Sequence, residues 1–307
     1  MRGREGQGEG ARGGNGTFAN RPGERTRALV GGRRARYARA MHDRLALHTW
    51  TLDTTPLADV VRIARETGWN AVELRRVDFE RAAAAGQPAE RVLDLARGSG
   101  LPVACVGVKL GWMFAEGPER APLLEVFAQS CAWSAALGAN LVMSPVDFAE
   151  GPVARAAASL REVGDIARAH GVRLALELQS QAPQFNTLAR TREVVAAAGH
   201  PSCGLLVDAY HVQRSGDLQA FDALPAEEIF YFQYSDVPAE TRPGFALDRL
   251  PPGHGVVPFR EVFGILAGKG YRGYLSYEAP NPAAWSRDPA AVAREAAMAT
   301  RSLLDAR

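Results

Sequence analysis

From residue 41 onward the chain predicts a single-domain (β/α)8 barrel, a TIM barrel, spanning residues 41–307. Three observations carry that expectation. Short β-rich runs alternate with longer helical patterns, the rhythm of a parallel sheet with crossover helices. The runs are apolar on both faces, as strands covered by helices must be. Several helical stretches end in glycine just before the next run, which reads as a helix C-cap and a short return loop.

The runs are LALHT (45–49), NAVELR (70–75), LPVACVGV (101–108), ANLVMS (139–144), VRLALEL (172–178), GLLVD (204–208), IFYFQYS (229–235) and GYLSYE (273–278). Helical stretches between and after them include PLADVVRIARET (56–67), EVFAQSCAWSAALG (125–138), ARAAASLREVGDIARAHG (154–171), PFREVFGILAGKG (258–270) and AAVAREAAMATRSLLDA (290–306). The terminating glycines are Gly68, Gly100, Gly138, Gly171 and Gly270. Eight units in about 260 residues suit a closed barrel better than an open doubly wound sheet. No GxGxxG follows the first run, so a dinucleotide-binding fold has no support.

Residues 1–40 are expected to be a Gly/Arg-rich extension outside the fold. With few apolar residues to bury, the segment cannot offset its ordering entropy and is predicted to be disordered. An RGG-like nucleic-acid arm is poorly matched, since aromatic residues are limited to Phe18 and Tyr37. A transit peptide is opposed by the acidic residues and many glycines. A start at Met41, directly before the first run, is the plainer reading. The extension holds ten arginines and three glutamates, a charge of +7; the whole chain carries +2, so the body carries about −5. A mildly acidic body argues against nucleic-acid partners.

Apolar residues make up 47% and charged residues 23%, the balance of a soluble globular domain. No run approaches the roughly 18 apolar residues of a membrane span, so no membrane partner is expected. The start of the chain lacks the apolar segment of a secretory signal. Cys105, Cys131 and Cys203 lie far apart without a CxxC pair, which gives no disulfide framework or zinc ribbon. A reducing cytosol, hence a cytoplasmic location, is expected.

Chemistry in such barrels gathers at the C-terminal strand ends. His48 ends the first run, Glu73 and Arg75 the second, and Lys109 follows the third. Glu177 ends the fifth, Asp208 the sixth with His211 three residues on, the seventh carries Gln233 and Asp236, and Glu278 closes the eighth. One strand-end glutamate is often only capped or salt-bridged. Oxygen-bearing groups on four consecutive strands are another matter: Glu177, Asp208, Gln233 and Glu278 would form an arc around one point. Three carboxylates cannot converge without a counter-charge, and burying them unpaired is costly. One divalent metal is expected to supply it.

The remaining polar positions divide between site and scaffold. His48 either projects into the pocket or is a hydrogen-bonded structural histidine; Glu73 either binds ligand or pairs with Arg75 or Arg76. Trp112, Met113 and Phe114 form either an apolar wall over the substrate or ordinary packing. Asp236 reads as orienting Gln233 or the following loop, and His254 as an exposed turn residue. The amide-rich SQAPQFNT (180–187) reads as a substrate-contacting loop.

These residues resemble the xylose isomerase-like TIM barrel superfamily over roughly residues 45–305. The carriers are LALEL with Glu177, GLLVDAYH with Asp208 and His211, FQYSD with Gln233, RLPPGHGVVPF (249–259), and GYLSYE with Glu278. The superfamily includes sugar isomerases and epimerases, among them the D-tagatose 3-epimerase-like branch, inosose and 3-dehydroshikimate dehydratases, and endonuclease IV. The resemblance implies that Glu177 and Glu278 are both metal ligands and the acid–base pair, and that Asp208 is a third ligand. Gln233 stands where many members carry histidine, which gives an all-oxygen set that favours Mn2+ or Mg2+ over zinc. Glutamine there also resembles the 3-dehydroshikimate dehydratase branch, which implies a catalytic His211 and an Arg249 that binds a substrate carboxylate. A second carboxylate-binding arginine of that branch is missing: the segment reads KLGWMFAEG, with Met113 near its place and Lys109 as the available substitute.

The implied function is a metal-dependent isomerase or epimerase of a small polyhydroxylated carbonyl compound, a keto-sugar or polyol; dehydration is the alternative. A metal would act as Lewis acid on the carbonyl and a neighbouring hydroxyl, with an enediolate as the stabilised species. Glu177 or Glu278 would remove the α-proton. Its return from the opposite face gives an epimer, and return to the adjacent carbon gives an aldose–ketose isomer. Loss of a β-hydroxyl, with His211 as proton donor, gives dehydration. Substrate contacts are assigned to Arg249, His48, Glu73, Lys109 and Trp112. An endonuclease IV-like activity needs several histidines for its metals, yet the chain has six in all and His42, His170 and His200 fall outside strand ends. A non-catalytic binding barrel would be favoured by a lost ligand, and all four are present. Related barrels often dimerise, so a homodimer is expected by analogy.

Overall fold

The computed structural model describes residues 40–240 and 247–305. The expected extension therefore lies, apart from residue 40, outside the described residues. Eight parallel strands pair in chain order and the last closes onto the first, as the sequence predicts. They are β1 (Leu45–His48), β2 (Ala71–Leu74), β3 (Val103–Gly107), β4 (Leu141–Pro145), β5 (Arg173–Glu177), β6 (Cys203–Asp208), β7 (Ile229–Tyr234) and β8 (Leu275–Tyr277). Every expected run holds a strand, although the last is so short that Glu278 follows it.

The helices are α1 (Leu57–Glu66), α2 (Arg76–Ala84), α3 (Ala89–Gly98), α4 (Arg120–Ala136), α5 (Val153–Ala169), α6 (Leu188–Ala198), α7 (Ala209–Ser215), α8 (Leu218–Ala223), α9 (Phe259–Lys269), α10 (Pro282–Trp285) and α11 (Pro289–Asp305). All five terminating glycines adopt positive φ, between 68° and 87°, where a side chain would be strained. No helix among the described residues is long and apolar enough to cross a membrane.

Successive strand side chains alternate between the two faces of the sheet. Leu45, Leu47, Val72, Leu74, Leu205 and Val207 pack outward under the helices in one core, and Val142, Leu174 and Leu176 in a second. Ala46, Ala71, Cys105, Leu141, Met143, Ala175, Leu206 and Tyr231 form a third cluster, the apolar plug of the barrel. The next inward position along each strand comes two residues later, by the same period. It is occupied by His48, Glu73, Gly107, Pro145, Glu177, Asp208 and Gln233, with Glu278 two residues beyond Ser276. The register sets His48 beside Glu73, Pro145 beside Glu177, and Asp208 beside Gln233. A polar layer thus rests on an apolar floor.

Leu206 is fully buried in that floor. Leu206→Ala is expected to cost about 2–5 kcal/mol of unfolding free energy, through lost burial and an unfilled cavity. Urea denaturation followed by circular dichroism measures it.

Candidate active site

Local hydrogen bonds fix two side chains of the polar layer. Asp208 is the N-cap of α7: its Oδ1 accepts the Tyr210 backbone N–H at 2.9 Å. His211 then falls in the first turn of α7, with Nε2 at 3.7 Å from Glu177 Oε1 and 3.9 Å from Asp208 Oδ2. His48 caps the short turn after β1: its Nδ1 accepts the Trp50 N–H at 3.1 Å. That bond leaves the ring proton on Nε2, which faces Glu278 Oε1 at 3.3 Å and Glu73 Oε1 at 3.6 Å. His48 is therefore hydrogen-bonded and also lines the cavity described below.

Arg249 is the cation at the centre. Its Nη1 donates to Asp208 Oδ2 at 2.7 Å and to Glu278 Oε2 at 2.9 Å, and Nη2 lies 3.2 Å from His211 Nε2. The guanidinium also covers the Tyr210 ring, 4.3 Å from its centroid. Asp236 places this arginine. Its carboxylate accepts four backbone N–H groups, from Val237, Gly253, Gly255 and Val257, at 2.8–2.9 Å. Asp236 and Leu250 also exchange backbone hydrogen bonds, so the PPGHG turn is folded around one side chain. Gly255 is required there, because a Cβ would sit 2.1 Å from the Val237 carbonyl oxygen. Asp236 thus orients the loop, and His254 is exposed at the turn.

Charge is crowded into this space. Glu177 Oε2 accepts from Gln179 Nε2 at 2.7 Å, while Glu177 Oε1 and Gln233 Oε1 are buried without a partner. One oxygen each from Glu177 and Asp208 and a ring nitrogen of His211 lie within 4.8 Å of one another. Burial lifts the Glu177 carboxyl well above the ordinary range, with Glu278 and Asp208 adding to the rise. Burial also raises Asp208, against the pull of Arg249. Both His48 and His211 are held well below their usual value, first by burial and then by nearby arginines. Two neutral histidines therefore stand beside the two glutamates.

Above the layer opens a cavity of about 590 Å3. Glu177, Glu278, His48, Gln179 and Arg249 line its polar end, and Gly107 and Pro145 leave room on the β3–β4 side. Lys109 is on its wall, together with Arg75 and Arg76. Glu73 and Trp112, assigned from the sequence as substrate contacts, do not line it. Glu73 is wholly buried and accepts from Tyr231 Oη and Gln233 Nε2, each at 2.9 Å; it makes no salt bridge to Arg75 or Arg76. Trp112 and Met113 are turned into the core, because Asp147 accepts the N–H groups of Gly111, Met113 and Phe114 and folds that loop inward. The apolar wall is instead made by Trp50, Val108, Leu110, Met143 and Phe148. Of segment 180–187, Ser180 holds the His211 ring by N–H and hydroxyl at 3.2 and 2.9 Å, while Phe185 is core.

A family model described as xylose isomerase-like TIM barrel matches residues 61–303. The chain belongs to this family. A segment of 129 residues is 34% identical to an inosose isomerase of Halalkalibacterium halodurans, over 40% of this chain and 45% of that one. A 128-residue segment is 30% identical to a 3-dehydroshikimate dehydratase of Pseudomonas putida, over 39% of this chain and 19% of that one. The chain thus matches less than half the length of these curated relatives. Among solved structures, IolI protein with a bound zinc atom superposes with a TM-score of 0.77 at 18% identity, covering 85% of this chain and 98% of the other. The relatives of this xylose isomerase-like barrel are enzymes, and the site lies where the family's chemistry is expected, at the C-terminal strand ends.

Gln179, Trp50 and Phe148 went unnoticed in the sequence. Gln179 had one signal, its place two residues beyond Glu177 on the same face; the other two are loop residues with none.

Two measurements test the site's construction. Asp236→Ala orphans four backbone N–H groups and is expected to cost about 2–4 kcal/mol in denaturant unfolding. For His211, the folded pKa is depressed, so the unfolded chain binds the extra proton as pH falls below the ordinary imidazole value of 6.5. Wild-type stability is therefore expected to fall below pH 6.5 more steeply than that of His211→Gln, by up to about 1.4 kcal/mol per pH unit.

Proposed function

We propose that the chain is a divalent-metal-dependent isomerase or epimerase acting on a keto-sugar or polyol-derived ketone. The observation that carries this reading is the pair of buried, unpartnered oxygens, Glu177 Oε1 and Gln233 Oε1, in a chamber where Glu177, Asp208 and Glu278 face one guanidinium. Three carboxylates against one arginine leave an uncompensated negative charge in a largely buried layer. A divalent cation fits that deficit. Glu177, Asp208, Gln233 and Glu278 would hold it, and such oxygen donors favour Mn2+ or Mg2+. Zinc would gain ground only if His211 joined the set. Once bound, the cation would polarise a substrate carbonyl as a Lewis acid.

The chain's own residues supply the proton chemistry. Glu177 on β5 and Glu278 after β8 enter the chamber from strands three apart, so two carboxylates approach a substrate from different sides. Burial makes Glu177 a stronger base than an exposed glutamate, suited to taking a proton from carbon. His48 Nε2 lies 3.3 Å from Glu278 Oε1, and His211 stands beside Glu177. The cavity lies within the roughly 300–1,000 Å3 typical of small-molecule sites. Of its cationic wall residues, Arg75 pairs with Asp53 and Arg76 with Glu80, and Lys109 would contact polar groups of the substrate. Dehydration is the second reading, favoured by Gln233 and by the place of His211 beside Glu177. Cytosolic residence is in keeping with three free, buried cysteines.

The direct test loads the protein with Mn2+ or Mg2+ and offers keto-sugars, inososes and 3-dehydroshikimate in D2O. Deuterium is expected in a recovered substrate or product, and product analysis separates epimer, isomer and alkene. Exchange with none of them in folded, metal-loaded protein overturns the reading. Glu177→Gln and Glu278→Gln are each expected to lower turnover at least about 100-fold, the low end for loss of a positioned acid or base. Full activity in either variant removes that glutamate from the mechanism.

A further inference from the structure

We propose, building on the metal-binding reading above, that Glu73 is a positioning residue that takes the amide nitrogen of Gln233 and so turns the amide oxygen toward the metal chamber. An amide has two ends of nearly equal size and opposite character: the oxygen coordinates a cation, the NH2 group only donates. Half a turn about the last side-chain bond exchanges them. Nothing in Gln233 itself makes the choice.

The choice is made across the barrel by β2. Glu73 Oε1 accepts from Gln233 Nε2 at 2.9 Å, and Glu73 Oε2 accepts from the Tyr231 hydroxyl at 2.9 Å. His48 Nε2, which bears its proton, lies 3.6 Å from the same Oε1. Gln233 and Tyr231 both donate to this carboxylate, so a reversed amide would set oxygen against oxygen. Glu73 and Gln233 are fully buried, and no bulk water is at hand to relieve that contact. Gln233 Oε1 is correspondingly the end left without a partner. A carboxyl group in the inner layer of β2 that touches no substrate cavity thereby acquires a purpose.

Mn2+ titration followed by electron paramagnetic resonance, beside circular dichroism and Tm, tests this on the full chain. Glu73→Met keeps the volume and removes the acceptor. The Mn2+ Kd is expected to rise about 10–100-fold, the usual effect of losing a ligand's outer partner, with the fold retained. The reversed pair, Glu73→Gln with Gln233→Glu, restores one donor facing one acceptor and leaves a Glu oxygen toward the chamber. Its Kd is expected within about tenfold of wild type. Unchanged Mn2+ affinity in folded Glu73→Met overturns the proposal. Should that variant not fold, the reversed pair decides: retained binding supports the proposal, and lost binding in folded protein overturns it. Wild-type protein that binds no Mn2+ removes the metal reading and this one together, whereas unchanged affinity in Glu73→Met removes only this one.

Discussion

Like charge held together out of water is the constraint around which this barrel is organised. Glu177, Asp208 and Glu278 are all buried at one end of the sheet, where their repulsion is screened little and their hydration is lost. Arg249 meets two of them directly, and it comes from a loop rather than a strand. The loop must therefore be as rigid as the sheet. Asp236 achieves this with four backbone hydrogen bonds, and the close approach of Gly255 to Val237 permits the fold of the turn. A turn has become part of the electrostatic core.

The apolar floor is the second half of the same device. Ala46, Ala71, Ala175, Leu206 and Tyr231 exclude water from below, so desolvation is the largest influence on Glu177, Asp208 and His211. The same burial that raises Glu177 keeps His48 and His211 neutral. Carboxylates that hold protons more tightly, beside histidines that do not hold them, are the elements of proton transfer to and from carbon. The opposite wall is built differently. Gly107 and Pro145 present little bulk, and the cavity opens over them toward Trp50, Leu110 and Phe148.

Fold and polar layer were largely legible in the chain. Polar residues that close apolar strand runs belong to the C-terminal end of a barrel. That rule places His48, Glu73, Glu177, Asp208 and Gln233 at one end before any coordinates are known. It does not say what each one touches. Glu73 and His48 were open between ligand and scaffold because their partners, Tyr231 and Glu278, lie about 160 and 230 residues away along the chain.

The sequence by itself determined the eightfold repeat, the glycine caps and the identity of the strand-end donors, since all of these follow from local periodicity and backbone preference. Only the tertiary structure decided that Arg249 neutralises Asp208 and Glu278, that Trp112 and Met113 turn inward, and that Gln233 presents its oxygen. Each of those outcomes depends on hydrogen bonds between residues distant in sequence, and loop direction and amide orientation carry no periodic signal.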